Sequence, residues 1–471
     1  MRPVGIAKPR DLTEGHVLRN VIFMGVPSMI GFATTTICAL VDVFYLGLLG
    51  SSAVAGMTLL LAFAGVLGTT NSLVGAGSVA VISRRYGEKD YRGTENAIKQ
   101  TLLLKLFMAL LSGTVGLLLL RAVLSWMNAE PEAAQLGFEY GVWFFICLPF
   151  NFCSWTMFTA FRGMGDASRA MFLMILTTAL NILLAPVMIF DRIPFSIGIA
   201  GLEIIPKDTP IGLGLGISGA AVAKGLALLV CCVLGVTMLH SRKTYVQFRL
   251  ARGWKPDFAV VMRILKIGTP PGLEGIARSI AGLATTYFIA LHGTAVVAAF
   301  GFSQQILGFT IIAAVGMMLG SSAIVGHCLG ADRKKMATRT VEVATASVAL
   351  ICASLSAAVF LFAPQIMDFF TDEADVAHVA IIALRIMVFG YLLLSIRHSL
   401  TAAFNGSGNT VPPTVIGLLA EALRLGMITV LIFVFCTNET GIWWAFLIAA
   451  LIDTLLMAVW FRRGRWLERK V

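Results

Sequence analysis

An acid set inside an apolar run is the first residue in this chain whose type and place point to chemistry. Asp42 lies near the second end of PSMIGFATTTICALVDVFYLGLLG, residues 27–50, a stretch long enough to cross a bilayer, which takes about 20 apolar residues. A carboxylate at such depth is costly unless it is paired or neutral, so it marks an ion, proton or substrate path. The alternative is a polar tie between two helices. Lys224 is about eight residues inside its own apolar run, ~12 Å from the run's end at about 1.5 Å per residue. That depth is close to that of Asp42, although a long lysine stem also reaches an interface by snorkelling. Glu274 and Asp453 are acids in apolar runs of the second half, read as having no obvious partner in the sequence, and either could meet a cationic substrate. Glu421 and Arg424 stand three apart, the spacing of a pair that neutralises itself on one helix. Arg385 and Arg397 share a run, where interfacial anchoring suits Arg385 better than Arg397, and both are left outside the site.

The elements that must hold these groups are membrane helices. The 471 residues are 58% hydrophobic and 13% charged, with a mean hydropathy of +0.87, whereas a soluble domain has about a quarter charged residues. Apolar runs fall near 21–46, 54–83, 101–120, 136–160, 171–190 and 215–240, then near 264–291, 296–327, 342–362, 379–403, 413–435 and 441–461. Each must satisfy its own backbone hydrogen bonds in lipid, and the runs are too long and continuous for barrel strands. The expected fold is therefore all-α, with twelve transmembrane helices in two six-helix lobes: residues 1–240, a linker at 241–263, and residues 264–471.

The net charge of +11 follows the topology. Arg19, Arg84, Arg85, Lys89, Arg92, Arg249, Lys255, Arg333, Lys334, Lys335, Arg339 and Arg462 fall on one set of alternate loops, together with Arg2, Lys8 and Lys470. The other set has Arg121, Arg192 and Lys207. Both termini are expected in the cytoplasm, in a multi-pass protein of the inner (plasma) membrane with no nucleic-acid partner. The first twenty residues show no cleavable leader, so the first run is expected to stay in the mature protein. Eight cysteines mostly inside apolar runs read as small core residues rather than a disulfide framework or zinc site.

The chain repeats itself. A shift of 243 positions (270 minus 27) lays PPGLEGIARSIAGLATTYFIALHG under the Asp42 stretch, matching Pro27 with Pro270 and Gly50 with Gly293. The same shift pairs Gly87 with Gly330, and FRGMGD at Phe161 with FNGSGN at Phe404. Asp42 falls opposite Thr285, so the acid belongs to the first half alone. Later the offset drops to 225, which places 18 extra residues (243 minus 225) in the first half, in the Pro- and Gly-rich loop DRIPFSIGIAGLEIIPKDTPIGLGL. Two parallel copies with an even number of helices are related by an axis along the membrane normal. Such a pair suits a central site exposed first to one side and then to the other, with Pro27 and Pro270 as candidate hinges.

Pro27 with VDVFYLGLLG, Gly87 and Gly330, the FRGMGD turn and GISGAAVA at Gly216 together resemble the MATE family of multidrug and toxic compound extruders, over essentially the whole chain. The resemblance implies a V-shaped pair of lobes that exports bulky, often cationic compounds against an inward sodium or proton gradient. By it, Asp42 matches the first-helix aspartate that binds the coupling ion, and Asn151 and Asn181 match amides of the fourth and fifth helices lining that site. Both amides also suit simple interhelical hydrogen bonding. Two positions depart from the pattern: the second carboxylate expected four residues beyond Asn181 is Ala185, and the threonine expected after GAAVA is Lys224. Glu274 lies near the seventh-helix glutamate of another branch, whose tenth-helix aspartate is Leu394 here.

These readings predict a monomeric secondary antiporter in contact with membrane lipids. It exports amphipathic, cationic organic compounds in exchange for protons rather than sodium, and needs no cofactor beyond that gradient. The alternative is a dedicated exporter or flippase of one metabolite or lipid-linked precursor, expected to line its cavity with several cations. The sequence has no HExxH, nucleophile elbow or P-loop, which argues against an enzyme and against ATP-driven transport. The 31 Phe and 20 Met residues suit adaptable cavity walls and lipid-facing surfaces alike.

Overall fold

The structure, a computed structural model, describes residues 11–469 except 128–129, 193–196, 200–201, 206–211, 242–245, 247, 250–253, 372 and 435–437. Arg2, Lys8, Lys207, Cys436 and Lys470 thus lie outside the described residues. Helices α1 (Val17–Gly47), α2 (Ser51–Gly87), α3 (Tyr91–Trp126), α4 (Pro131–Ile146), α5 (Leu148–Gly163), α6 (Ala167–Ile189) and α7 (Gly216–His240) make the first half. The second half contains α8 (Phe258–Ala290), α9 (Thr294–Gly330), α10 (Lys334–Leu361), the short α11 (Ala363–Phe370), α12 (Ala374–Ser407), α13 (Val411–Phe433) and α14 (Thr440–Arg462). A small hairpin, β1 (Ile197–Ile199) with β2 (Leu202–Ile205), occupies the inserted loop.

Among the described residues, ten helices are long and apolar enough to cross a membrane singly, and α4 with α5 makes an eleventh span bent by 52°. The charged α8 is the twelfth crossing. The sequence predicts one continuous helix over 136–160, but the chain breaks at Cys147. Pro149, in the first turn of α5, has no N–H to continue the ladder of α4. Asp90 and Asp257 cap α3 and α8, their carboxylates accepting backbone N–H bonds from Gly93 and from Ala259 and Val260.

The repeat reaches down to single dihedral angles. α2 and α9 begin 243 positions apart (294 minus 51) and end 243 apart (330 minus 87). Lys89 (φ 60°) and Asp332 (φ 56°), the non-glycine residues with positive φ among the described residues, are separated by that same interval (332 minus 89).

We call the face where α1 begins and α14 ends the base, and the opposite face the mouth. At the base the two halves share their cores. One cluster joins Leu12, Val21 and Met24 with Met317, Ile324 and Cys328, and another joins Val81, Ile98 and Met157 with Ile264 and Ile267. Towards the mouth the cores separate, one built from Tyr45, Leu60 and Tyr140 and the other from Ile289, Leu307 and Trp443. Glycines allow the halves to cross. A Cβ on Gly268 would lie 1.5 Å from the Leu73 carbonyl oxygen, and one on Gly77 would lie 2.0 Å from that of Ile264. Their repeat twins, Gly25 and Gly320, bring α1 close to α9, where a Cβ would lie 2.2 Å from the Met317 sulfur and 2.7 Å from the Met24 carbonyl carbon. Nearer the mouth, a Cβ on Gly65, Gly68, Gly282 or Gly301 would meet nothing within 4 Å. The molecule is thus a V, closed at the base and open at the mouth.

Polar contacts seal the base. Arg333 binds Glu14 at 2.6 Å and the Thr13 carbonyl at 2.8 Å. The His327 ring stacks on Tyr86 and bonds the Gly163 carbonyl at 2.7 Å.

Candidate functional site

Asp42 is buried in α1, facing α6 and α7. Its Oδ1 accepts a 2.6 Å hydrogen bond from the Asn181 amide, and its Oδ2 lies 2.8 Å from Lys224 Nζ. Three helices from one half therefore converge on one carboxylate. The Lys224 side chain is 33% exposed whereas that of Asp42 is 5% exposed, so the lysine is the more open partner of the pair. Asn181 Nδ2 also reaches Cys38 Sγ at 3.3 Å, while its Oδ1 is buried with no hydrogen-bond partner. Ala185 is fully buried among Tyr45, Tyr140 and Ile189, so no second carboxylate enters the site.

Asn151 is half-buried in the first turn of α5 and makes no side-chain hydrogen bond among the described residues. The structure brings Asp42, Asn181 and Lys224 together and leaves Asn151 outside their hydrogen-bonded set. Pro27 and Pro270 lie inside α1 and α8, which run on as helices through both prolines.

The second half holds a larger cluster, and its centre is a residue the sequence reading set aside. Arg397, on α12 and only 4% exposed, bonds Glu274 of α8 at 2.6 Å, the Pro413 carbonyl at 3.2 Å and Asp453 of α14 at 3.4 Å. Glu274 and Asp453 thus have an internal partner, contrary to the reading of two unpartnered acids. An arginine deep in one apolar run, with unmatched acids deep in two others, was the signal available. Glu274 also holds Arg278 at 2.6 Å, and Glu421 and Arg424 make the expected pair at 2.7 Å. Three guanidinium groups balance three carboxylates. Arg278, Arg397, Arg424, Glu421 and Asp453 line a cavity of about 300 Å³ with Leu394 in its wall.

A multi-pass membrane protein of two lobes around a cleft, with a charged cluster buried in each lobe, has the build of a transporter that alternates access between two sides. The chain belongs to the MATE family: the family model described as MatE matches residues 27–187 and again 270–432, the second match beginning 243 positions (270 minus 27) after the first. The multidrug export protein MepA of Staphylococcus aureus is 24% identical over 96% of this chain and 95% of its own. MepA of Staphylococcus haemolyticus is 22% identical over 94% of this chain and 93% of its own. Among solved structures, a MOP superfamily transporter from Pyrococcus furiosus superposes with a TM-score of 0.88 at 23% identity, covering 99% of this chain and 100% of that one. A MATE in complex with MaD3S also gives 0.88, at 24% identity over the same shares.

Proposed function

We propose that the protein is a multidrug exporter that carries amphipathic organic compounds, bearing a cationic group, out of the cell in exchange for protons. The observation that carries the reading is the 2.8 Å pair of Lys224 and Asp42. A coupling sodium ion needs several oxygen ligands around one compact charge. Here Ala185 offers none, and the Lys224 ammonium lies against the carboxylate where such a cation would bind.

Asp42 is the proton acceptor in this scheme. When a proton from the mouth adds to Oδ2, the carboxylate loses its charge and the hold on Lys224 falls to that of a neutral group. Asn181 keeps its bond through the change: its amide N–H donates to Oδ1 whether that oxygen belongs to the carboxylate or is the carbonyl of the protonated acid. The freed ammonium moves toward the cleft, where it repels a cationic substrate and favours its release. Loss of the proton on the other side restores the pair. This is a two-state element with a local electrostatic trigger. Pro27 and Pro270 are the points where α1 and α8 lack a backbone hydrogen bond and can bend as the lobes rock.

The basic base supports an orientation with the first and last helix ends in the cytoplasm of a plasma-membrane protein. The open mouth then faces outward. We take residues 1–240 and 264–471 as the two lobes and 241–263 as the segment joining them, in a monomer. The test is dye efflux from proteoliposomes under an imposed proton gradient and separately under an imposed sodium gradient. Efflux at fixed pH should persist when sodium is replaced by potassium or choline, and strict sodium dependence would overturn the coupling. The three arginines of the second cavity favour a second reading, export of one dedicated acidic metabolite or lipid-linked precursor. Each arginine already faces a carboxylate, which counts against a site built for phosphate alone.

A further inference from the structure

The second-lobe cavity presents more hydrogen-bond donors than its own acids consume. Each guanidinium has five N–H groups. Arg397 acts as a buried strut, using Nε on Asp453 and Nη2 on Glu274 and the Pro413 carbonyl. Arg278 and Arg424 are different. Arg278 spends Nη2 on Glu274 and leaves a side chain that is 46% exposed. Arg424 spends Nη2 on Glu421, and its Nε is buried without a hydrogen-bond partner. The acids take up only part of this capacity: Glu274 Oε1 accepts from two arginines, whereas Glu421 Oε2 lies 2.7 Å from Arg424 Nη2 yet is itself without an aligned hydrogen bond.

A second, apolar compartment of about 150 Å³ adjoins this cavity and shares Gly282, Gln304, Arg424 and Phe446 with it. Its other walls include Phe300, stacked on Trp443 at 5.9 Å. Gly282 has no side chain at the junction, and a Cβ there would meet no atom within 4 Å. Arg424 therefore stands with its guanidinium where a charged chamber meets an aromatic one.

We propose that this pair of chambers binds an amphipathic substrate through an acidic group, a carboxylate seated on the forks of Arg424 and Arg278, with its aromatic body against Trp443, Phe300 and Phe446. A planar carboxylate matches the guanidinium fork, which takes it by two parallel charge-assisted hydrogen bonds. The exported compounds then carry an acid as well as a cationic group. The inference rests on the export reading for the role of the bound compound, and is independent of the coupling ion.

Rhodamine B and its ethyl ester are a matched pair of fluorescent cations that differ by one free carboxylate. Binding of each to the full chain in detergent, without any gradient, is measured by fluorescence anisotropy. The free acid should bind about tenfold or more tightly than the ester, the effect of a charge-assisted pair out of water. Arg424→Gln should bring the two within about twofold, and Arg424→Lys should keep part of the preference. If Arg424→Gln does not yield folded protein, Arg278→Gln at the exposed fork makes the same test. Equal or tighter binding of the ester, or a preference unchanged in both glutamine variants, overturns the proposal. A wild type that favours the acid yet ignores the proton gradient would remove the coupling reading alone.

Discussion

Gly268→Ala should prop the base of the molecule open. The added Cβ would lie 1.5 Å from the Leu73 carbonyl oxygen and 2.7 Å from its carbon. Ordinary carbon–oxygen contact requires about 3.2 Å, so α2 and α8 must separate by about 1.7 Å (3.2 minus 1.5), or the backbone of one must shift. The obstacle is main chain, which has no rotamer to change. Overpacking of this kind costs about 1–3 kcal/mol. Because the contact joins the lobes only at the base, that cost falls on the base-closed state and lowers its population about 5- to 150-fold relative to a base-open one. Spin labels at the exposed Lys89 and Lys335, one per lobe, should report a longer distance in the variant, and net efflux should fall. Gly275→Ala on the same helix is the control, since its Cβ meets nothing within 4 Å. An unchanged distance and wild-type efflux in Gly268→Ala would refute the reasoning, as would equal damage from Gly275→Ala.

Asp42→Asn should abolish proton-coupled efflux while membrane abundance stays normal, and a wild-type rate in that variant would remove the acid from the mechanism. Lys224→Ala leaves a carboxylate facing Asn181 alone. Removing one partner of a fully buried pair costs about 3–5 kcal/mol, and the one-third exposure of the lysine reduces this to about 1–2 kcal/mol. Its melting temperature should drop and the pH dependence of its efflux should flatten; an unaltered pH profile would make the lysine a bystander. The cap carboxylates set an acid limit. The Asn96 amide and the Val260 and Ala259 N–H groups hold Asp257 below the usual carboxylate range, and the Gly93 N–H with Arg85 does the same for Asp90. Their folded pKa values are depressed, so their stabilisation is complete above about pH 4–5 and is lost as pH falls through the folded values. Melting temperature should be flat above about pH 5 and fall below about pH 4. Asp257→Asn, which keeps the cap, should lose part of that fall.

The repeat and the span pattern were legible because both are local or periodic: runs of apolar residues, and an interval that returns as Lys89 and Asp332 in the same backbone conformation. Asp42 stood out because no hydrophobic pattern needs it. Its closeness to Lys224 was anticipated from matching depth and from the family pattern, though 182 positions separate them. The Arg397 cluster was missed because it spans three helices, with partners 123 and 56 positions away, and no helical spacing connects them. Only the packing of α8, α12 and α14 around one cavity brings them together. Asn151 shows the reverse limit. It shares a lobe with Asp42, but the break at Cys147 starts a new helix just before it, so its run in the sequence said little about its neighbours.

The balance of charge within each buried cluster has an electrical consequence. One ammonium offsets one carboxylate in the first lobe, and three guanidinium groups offset three carboxylates in the second. Moving a single elementary charge through the membrane field involves about 2.3 kcal/mol per 100 mV. A lobe that swings with its cluster internally neutral does no such work on behalf of those groups, so membrane voltage neither drives nor opposes the rocking of the empty, unprotonated clusters. Under the proposed proton coupling, voltage then acts on what is loaded: the proton on Asp42 in one direction and the net charge of the substrate in the other. A dipolar substrate moves no net charge, so its exchange for one proton would make the transporter carry current, and the reversal potential of that current would count the protons per cycle.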